Sequence, residues 1–266
     1  MGFLGNNMKP EYRIKTLRRI VGKAINRHGM IGDGERILVA LSGGVDSLVL
    51  LDAVAGRRRW LPITYSITAA HIRVEGLEGG ADVAVLGEFC RERGVELIVR
   101  RVSGNIDFSN PDSRCFYCSW HRRKALFALM RERGCSRLAF GHHLDDVIET
   151  LILNMTFNAR LTTMPLRLSM FGGEFDIIRP LGLLTKREVE DYARAAGLSA
   201  IGSQCPWSDR SKRADAGRVI DELERINPDA RVNIFRSMHN IDTTYLPSDS
   251  GGGKGGGRTL NRRRTV

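Results

Sequence analysis

The feature that most constrains the fold is LVALSGGVDSLVLL, residues 38–51, in which two apolar runs flank a pair of glycines. The first run has the length of a buried strand, whereas the second continues as LVLLDAVAG and has the length of a helix. A strand that turns tightly into a helix places the N–H groups of the helix N-terminus at the turn, where they favour an anion. The segment therefore predicts a strand, a phosphate-binding turn and a helix.

Strands and helices continue to alternate along the chain. We predict strands at 36–41, 63–72, 95–102, 137–143 and 175–181 and a strand-like segment at 198–202, with helices at 12–27, 48–56, 81–93, 118–133, 145–157, 185–197 and 211–239. The last helical region should break at Pro228. This alternation predicts an α/β fold, a Rossmann-like parallel sheet with helices on both faces, whose ligand binds beyond the C-terminal strand ends.

Changes in composition divide the chain into four parts. We predict an N-terminal basic amphipathic helix in residues 1–30, the α/β domain in 31–210, a C-terminal helical segment in 211–245 and a Gly/Arg-rich basic tail in 246–266. The tail is expected to be disordered, because such glycine-rich segments behave as flexible coils.

The first helix has an apolar stripe and a basic face. The stripe consists of Ile14, Leu17, Val21, Ala24 and Ile25, and the opposite face includes Arg13, Lys15, Arg18, Arg19, Lys23 and Arg27. We expect the stripe to pack on the domain. The basic face is then either simply solvated or a second surface for RNA.

The formal net charge of +11 favours a polyanionic partner, most simply a nucleic acid. Five cations and no acid lie in residues 251–266, so the rest of the chain carries +6, which could also serve solubility alone. No segment approaches the roughly 20 apolar residues of a membrane helix, and the N-terminus lacks the apolar core of a signal peptide. Five scattered cysteines then suggest reduced thiols, a cytoplasmic location and no membrane partner.

The turn after the first strand contains the candidate phosphate ligands Ser42, Gly43, Gly44, Asp46 and Ser47. The glycines allow the backbone to approach a phosphate, the hydroxyls can donate to it, and the carboxylate could bind Mg²⁺ or cap the helix. The pattern matches neither the Walker loop nor G-x-G-x-x-G. The alternative is an ordinary strand-to-helix turn.

A second polar group follows a later strand in FGHHLDDVIET, residues 140–150. Asp145 and Asp146 precede an apolar helix, and one of them suffices as its cap. The other is therefore free to bind Mg²⁺ on the pyrophosphate or to contact a target base. Glu149 lies on the same helical face as Asp146.

Two cysteines with C-x-x-C spacing, Cys115 and Cys118, lie at or just before a predicted helix start, where the helix dipole favours thiolates. Cys205 lies in a loop beside a proline, whereas Cys90 and Cys135 are expected to be buried. Three thiolates suit a [4Fe-4S] cluster with one iron that has no protein ligand. The alternative is a redox pair with an incidental third cysteine.

The turn resembles the PP-loop of the N-type ATP pyrophosphatases. Over residues 15–245, the motifs LSGGVDS, CFYCSWHRRKAL, GHHLDDVIETLILNMTF, MPLRLS and IIRPL and the lone Cys205 follow the order found in the tRNA 2-thiocytidine synthetases, the TtcA family. The similar thiouridine synthetases (TtuA) add zinc modules at both ends, for which this chain has no cysteines.

The resemblance implies an adenine nucleotide alpha hydrolase-like fold and a tRNA sulfurtransferase. ATP, with Mg²⁺, would adenylate the C2 oxygen of an anticodon-loop cytidine and release pyrophosphate. Sulfur carried on the open iron of a [4Fe-4S] cluster would then displace AMP. The implied partners are tRNA and a sulfur donor, such as a cysteine desulfurase or free sulfide, and a homodimer is compatible with the family.

The resemblance also assigns roles to residues of this chain. It implies cluster ligation by Cys115, Cys118 and Cys205, nucleotide binding by Ser42, Gly43, Gly44, Asp46, Ser47, His71 and Gly141, and catalysis by Asp145, Asp146 and Arg122. Two departures stand out. Val45 replaces a frequent loop lysine, so another cation must neutralise phosphate, and Ser208 stands where a second cysteine often accompanies Cys205.

Three other functions remain open. One is a PP-loop tRNA-modifying ligase, such as a tRNA lysidine synthetase, which needs no cluster. Another is a sulfurtransferase with a different acceptor, either a 2-thiouridine precursor or a small molecule. The third is a non-catalytic iron–sulfur or RNA-binding protein that retains the loop.

Overall fold

The computed structural model describes residues 9–76, 80–103, 111–202 and 212–245, without the side chains of 111–115 and 245. The strands are β1 Glu35–Ala40, β2 Tyr65–Val74, β3 Glu96–Val102, β4 Arg137–Ala139, β5 Arg167–Met170 and β6 Phe175–Ile178. The helices are α1 Pro10–Arg27, α2 Val45–Arg57, α3 Val83–Glu92, α4 Pro111–Arg133, α5 Leu144–Asn158, α6 Lys186–Ala195, α7 Lys212–Ile226 and α8 Ala230–Ser237, and a short 3-10 turn spans Thr243–Tyr245.

The strands form a single twisted layer in the order β3-β2-β1-β4-β6-β5. Strands β1 to β4 and β6 are parallel, which confirms the predicted fold class, but β5 runs antiparallel to β6 at the edge. The chain order reverses between β1 and β4, so the loops after these two strands diverge and leave a crevice.

Two apolar cores cover the two faces of the sheet. Within β1, Ile37 and Val39 pack with α1, α2, α3 and α6, whereas Leu38 between them packs with α4. This alternation follows from the two-residue period of a strand. Because both faces are buried, β1 consists of consecutive apolar residues.

Helix α1 packs as predicted, with Leu17, Val21, Ala24 and Ile25 buried. Its basic face is not wholly solvated, because Arg18 donates to the Tyr192 hydroxyl at 2.7 Å and to Asp52 at 2.8 Å. This buried network joins α1 to α2 and α6.

Several predicted boundaries were wrong. Helix α4 begins at Pro111 rather than near Cys118. Residues 198–202 form no strand, and the Ile201 N–H donates to the Gly43 carbonyl at 2.8 Å. The break at Pro228 is confirmed, because α7 ends at Ile226 and α8 begins at Ala230. The basic tail, 246–266, lies outside the described residues.

Candidate active site

A cavity of about 1440 Å³ opens at the C-terminal side of the sheet. Its walls are residues near the C-terminal ends of β1, β2, β4 and β6, the first turns of α2, α5 and α7, the β5–β6 hairpin, and α4 from Cys118 to Arg131. The predicted site residues that line it are Ser42, Asp46, Ser47, His71, Cys118, Arg122, Gly141 and Asp146. The crevice therefore brings together residues from sequence positions about 170 apart, from Ser42 to Arg213.

Ser47 organises the turn that is predicted to bind phosphate. Its buried hydroxyl accepts the N–H groups of Ser42 and Gly43, each at 3.2 Å, and donates to the Gly44 carbonyl at 2.8 Å. Gly44 is exposed and precedes α2, and no side chain of the described residues caps this helix. The helix N-terminus is therefore presented to the cavity while Ser47 fixes the turn.

Two glycines are required by close backbone approaches. Gly43 has φ +92°, and a Cβ there would lie 2.5 Å from the Cβ of Ala81. A Cβ on Gly141, which follows β4, would lie 2.9 Å from the carbonyl oxygen of Asp46. Gly141 thus lets the exit of β4 contact the first turn of α2.

The two aspartates at the start of α5 lie in different surroundings. Asp146 lines the cavity, accepts the His143 N–H at 2.9 Å and contacts the Arg213 guanidinium at 3.1 Å. Asp145 is buried, and its two oxygens accept the Lys186 N–H and the Arg231 Nε–H, each at 2.7 Å. Asp145 therefore joins α5 to α6 and α8, whereas Asp146 both caps α5 and faces the cavity.

Burial perturbs several ionisable groups around this cavity. It raises the pKa of Asp46 above its usual range, and burial with the nearby Asp146 raises the pKa of Glu149 to about 7. Burial lowers the pKa of His142 to about 4, so that imidazole is neutral. The cavity wall therefore includes a neutral imidazole at His142.

Arg179, directly after β6, is a buried cation on the cavity wall. Its guanidinium donates to the Pro165 carbonyl at 2.5 Å and to Nδ1 of His142 at 3.3 Å. No carboxylate of the described residues forms an ion pair with it, and burial lowers its pKa to about 10. An anion in the cavity would supply the missing countercharge.

His71 and Arg122 differ in exposure. The buried His71 donates through Nδ1 to the Leu41 carbonyl at 2.8 Å, and burial lowers its pKa, so the ring is neutral. Arg122 is exposed on α4 and lines the cavity. The first supports the turn after β1, and the second adds positive charge at the cavity wall.

Cys118 is half-buried and lines the cavity. Cys115 lies one turn earlier in α4, on the same helical face, although its side chain lies outside the description, and Cys205 lies outside the described residues altogether. Because α4 begins at Pro111, Cys118 lies beyond the first turn, where the helix dipole has little effect on a thiol. The prediction that Cys115 and Cys118 lie at or just before the helix start was therefore wrong.

The other two cysteines are buried as predicted. Cys90 is 1% exposed, and burial raises its pKa to about 11. Cys135 is also buried, and burial raises its pKa. Within the part of the chain whose side chains are described, no group of three His, Cys, Asp or Glu side chains suits a metal ion, and neither does any described helix have the length and apolarity to cross a membrane.

Several cavity residues were not predicted from the sequence, among them Arg179, Arg213 and Phe171. A signal existed for Arg179, since it ends the apolar strand run FDII in the motif IIRPL. Arg213 and Phe171 reach the cavity only through the packing of α7 and of the β5–β6 hairpin. No local sequence pattern predicts this packing.

A sheet with this strand order, a glycine turn at the start of α2 and acidic residues after β4 define a nucleotide-binding α/β domain. The PP-loop domain family matches residues 14–212. The chain belongs to that family and, within it, to the family of tRNA-cytidine(32) 2-sulfurtransferases.

Curated relatives carry that name in Geobacter sulfurreducens, 33% identical over 88% of this chain and 93% of the relative, and in Pseudomonas putida, 32% identical over 87% and 86%. Among solved structures, the U34-tRNA thiolase NcsA from Methanococcus maripaludis with its [4Fe-4S] cluster is similar, with a TM-score of 0.70 and 28% identity. The similarity covers 89% of this chain and 80% of NcsA.

Proposed function

We propose that this chain is an ATP-dependent tRNA sulfurtransferase that converts a cytidine to 2-thiocytidine. The observation that supports this most directly is that the phosphate-binding turn and Cys118 line the same cavity. Activation of the base and delivery of sulfur would then take place in the same cavity. The relatives named as tRNA-cytidine(32) 2-sulfurtransferases support the same substrate class.

In the first step, the cytidine C2 oxygen attacks the α-phosphorus of ATP, the bond from that phosphorus to the oxygen bridging the α- and β-phosphates breaks, and pyrophosphate leaves. The N-terminus of α2 binds the phosphates, and Ser42 and Ser47 hold that turn in shape. Asp46 and Asp146, both on the cavity wall, are the proposed carboxylates for Mg²⁺.

Arg179 is the proposed cation that replaces the loop lysine absent at Val45. A buried guanidinium without a carboxylate partner stabilises negative charge strongly, because little water screens it. The Pro165 carbonyl and the neutral His142 fix its orientation before ATP binds. Arg122 adds a second, exposed positive charge on the same wall.

In the second step, sulfur at the oxidation level of sulfide attacks C2, the C2–O bond breaks, and AMP leaves with the oxygen. No external oxidant is needed, because sulfur and oxygen exchange at the same oxidation level. When bound, a [4Fe-4S] cluster would supply this sulfur. Cys118 on the cavity wall and Cys115 one helical turn away fit two of its ligand positions, with Cys205 proposed as the third.

Asp145 was a candidate for Mg²⁺ or base contact, and its surroundings favour a supporting role. The sulfur donor, a cysteine desulfurase or free sulfide, the homodimer and the cytoplasmic location remain predictions from the sequence. A reaction with a sulfide-loaded cluster but without an added donor should stop after at most one turnover. The turnover number measured with a cysteine desulfurase and with free sulfide therefore shows which of the two donors sustains the reaction.

The test is an anaerobic reaction of the reconstituted protein with unmodified tRNA, ATP, Mg²⁺ and sulfide, followed by nucleoside mass spectrometry. We expect 2-thiocytidine, with tRNA-dependent release of pyrophosphate. Cys118→Ala should abolish thiolation while retaining pyrophosphate release, and Cys135→Ala, which alters a buried thiol outside the cavity wall, should retain both. Lysine-dependent product without iron would indicate a ligase instead, and the absence of pyrophosphate release would indicate a binding protein.

A further inference from the structure

One face of α4 carries alternating aromatic and basic side chains along the cavity. Trp120, Lys124, Phe127 and Arg131 are spaced by four, three and four residues, which places them on one helical stripe. All four line the cavity, and Phe171 from the β5–β6 hairpin extends the row beyond Arg131. We call these five residues the α4 stripe.

The cations of the α4 stripe lie over its rings. The Lys124 Nζ is 5.2 Å from the Trp120 ring centre, and the Arg131 guanidinium is 5.0 Å from the Phe171 ring centre. Glu174 holds Arg131 in place through two hydrogen bonds of 2.6 and 2.9 Å. The rings and the cations are therefore pre-positioned as pairs.

Phe171 is held in an unfavourable backbone conformation. Its φ is +51°, a region that bulky side chains rarely adopt, yet the residue is 54% exposed. Phe127 and Phe175 contact the ring edge-on or tilted, at 5.6 and 5.4 Å, and so fix its plane. The strain lies in the β5–β6 turn, where Gly172 and Gly173 also have positive φ, and this turn places the exposed Phe171 on the cavity wall.

We propose that the α4 stripe stacks unpaired bases of the RNA substrate beside the reacting cytidine; this rests on the proposed function. Aromatic faces bind single-stranded bases regardless of sequence, and adjacent cations bind the backbone. From Trp120 to Arg131 the helix rises about 16 Å, enough for about five stacked nucleotides. A paired RNA helix would hide its base faces, so the stripe selects an unpaired loop.

The test measures equilibrium binding of unmodified tRNA to Trp120→Ala and to Phe171→Asn at several salt concentrations. Asparagine tolerates a positive φ, so Phe171→Asn removes the ring without adding backbone strain, and the loss of the contacts with Phe127 and Phe175 should lower its thermal midpoint by no more than about a few degrees. Each variant should weaken binding by between about five- and a hundredfold with an unchanged salt dependence. Lys124→Gln should instead reduce the salt slope by about one contact.

Trp60→Ala is the matched control, because Trp60 is 83% exposed beside a run of arginines but is absent from the cavity wall. The proposal would be overturned if Trp120→Ala and Phe171→Asn bound tRNA no more weakly than Trp60→Ala. It would also be overturned if both variants lost as much affinity for a fully paired RNA as for tRNA. If the wild-type protein thiolates tRNA and the variants bind tRNA normally, only the stacking role is rejected. If the variants bind tRNA more weakly but the wild-type protein shows no thiolation, only the proposed reaction is rejected.

Discussion

At Gly141, the addition of a single methyl group should distort the site. A Cβ there would lie 2.9 Å from the Asp46 carbonyl oxygen and 3.2 Å from the Ser47 backbone nitrogen, and backbone atoms cannot move aside cheaply. We expect Gly141→Ala to lower stability by about 1–3 kcal/mol and to reduce pyrophosphate release at least tenfold. Gly87→Ala, at a helical glycine with open space, should instead stabilise slightly, which differential scanning calorimetry would resolve.

Arg179 should show opposite effects on activity and stability. Removing a buried charge without an ion-pair partner relieves a desolvation penalty, so Arg179→Gln should not lower the thermal midpoint. The same change should slow pyrophosphate release by about 10²–10³-fold, because it removes a fixed positive charge next to the phosphates. Arg100→Gln, at an exposed pair with Glu132, should leave both unchanged. A lower thermal midpoint with normal kinetics would instead assign Arg179 a structural role.

Among the elements, the first turn of α5 contains two neighbouring carboxylates with different proposed roles: Asp145 stabilises the fold and Asp146 supports the reaction. Asp145→Asn should weaken the contacts with Arg231 and Lys186 and destabilise the fold by about 2 kcal/mol. Asp146→Asn retains an acceptor for the His143 N–H, so stability should change little while pyrophosphate release falls at least tenfold. Urea unfolding and steady-state kinetics of both variants test this division, and the reverse pattern would assign the Mg²⁺ role to Asp145.

The packing of α5 against α7 should make stability depend on pH through Glu149. The folded-state pKa of about 7 exceeds the usual value of 4.5, so the folded state binds an extra proton between pH 4.5 and 7. Stability from this group therefore falls as pH rises through that window. Glu149→Gln should raise the thermal midpoint by a few degrees at pH 8 but not at pH 4. An equal difference at both pH values would contradict the raised pKa.

How well an element could be predicted depended on whether its signal was local. The capping box of α6 was predicted from Thr185 and Glu188, and both of its hydrogen bonds are present, at 2.8 and 3.2 Å. Strand β5 was missed because it has only four residues, which lie at a sheet edge and are mostly exposed, and so short an alternation of polar and apolar residues does not stand out from a loop. The start of α4 was missed because its first turns have no apolar stripe.

In the whole molecule, the fold followed from the alternation of apolar runs, since parallel strands buried on both faces have a recognisable composition. The walls of the cavity did not, because Arg179, Arg213 and Phe171 come from separate elements whose arrangement depends on tertiary packing. The residues predicted best were those within one short motif. The least predictable were those whose role depends on a neighbour distant in sequence.

The charge of the whole chain leads to a last prediction, for a variant truncated after Tyr245. Residues 246–266 carry Lys254, Arg258, Arg262, Arg263 and Arg264 and only the acid Asp249. If these cations contact phosphates, truncation should weaken tRNA binding and flatten its dependence on salt, by up to about 0.7–0.9 units of slope per lost contact. The maximal rate at saturating tRNA should not change, because the cavity is formed by residues before 214. Replacement of the five cations by glutamine in the full chain controls for length and should reproduce the truncation. An unchanged salt slope would show that the tail does not contact the RNA and that the +7 of residues 1–245, including the α4 stripe, supplies the electrostatic attraction.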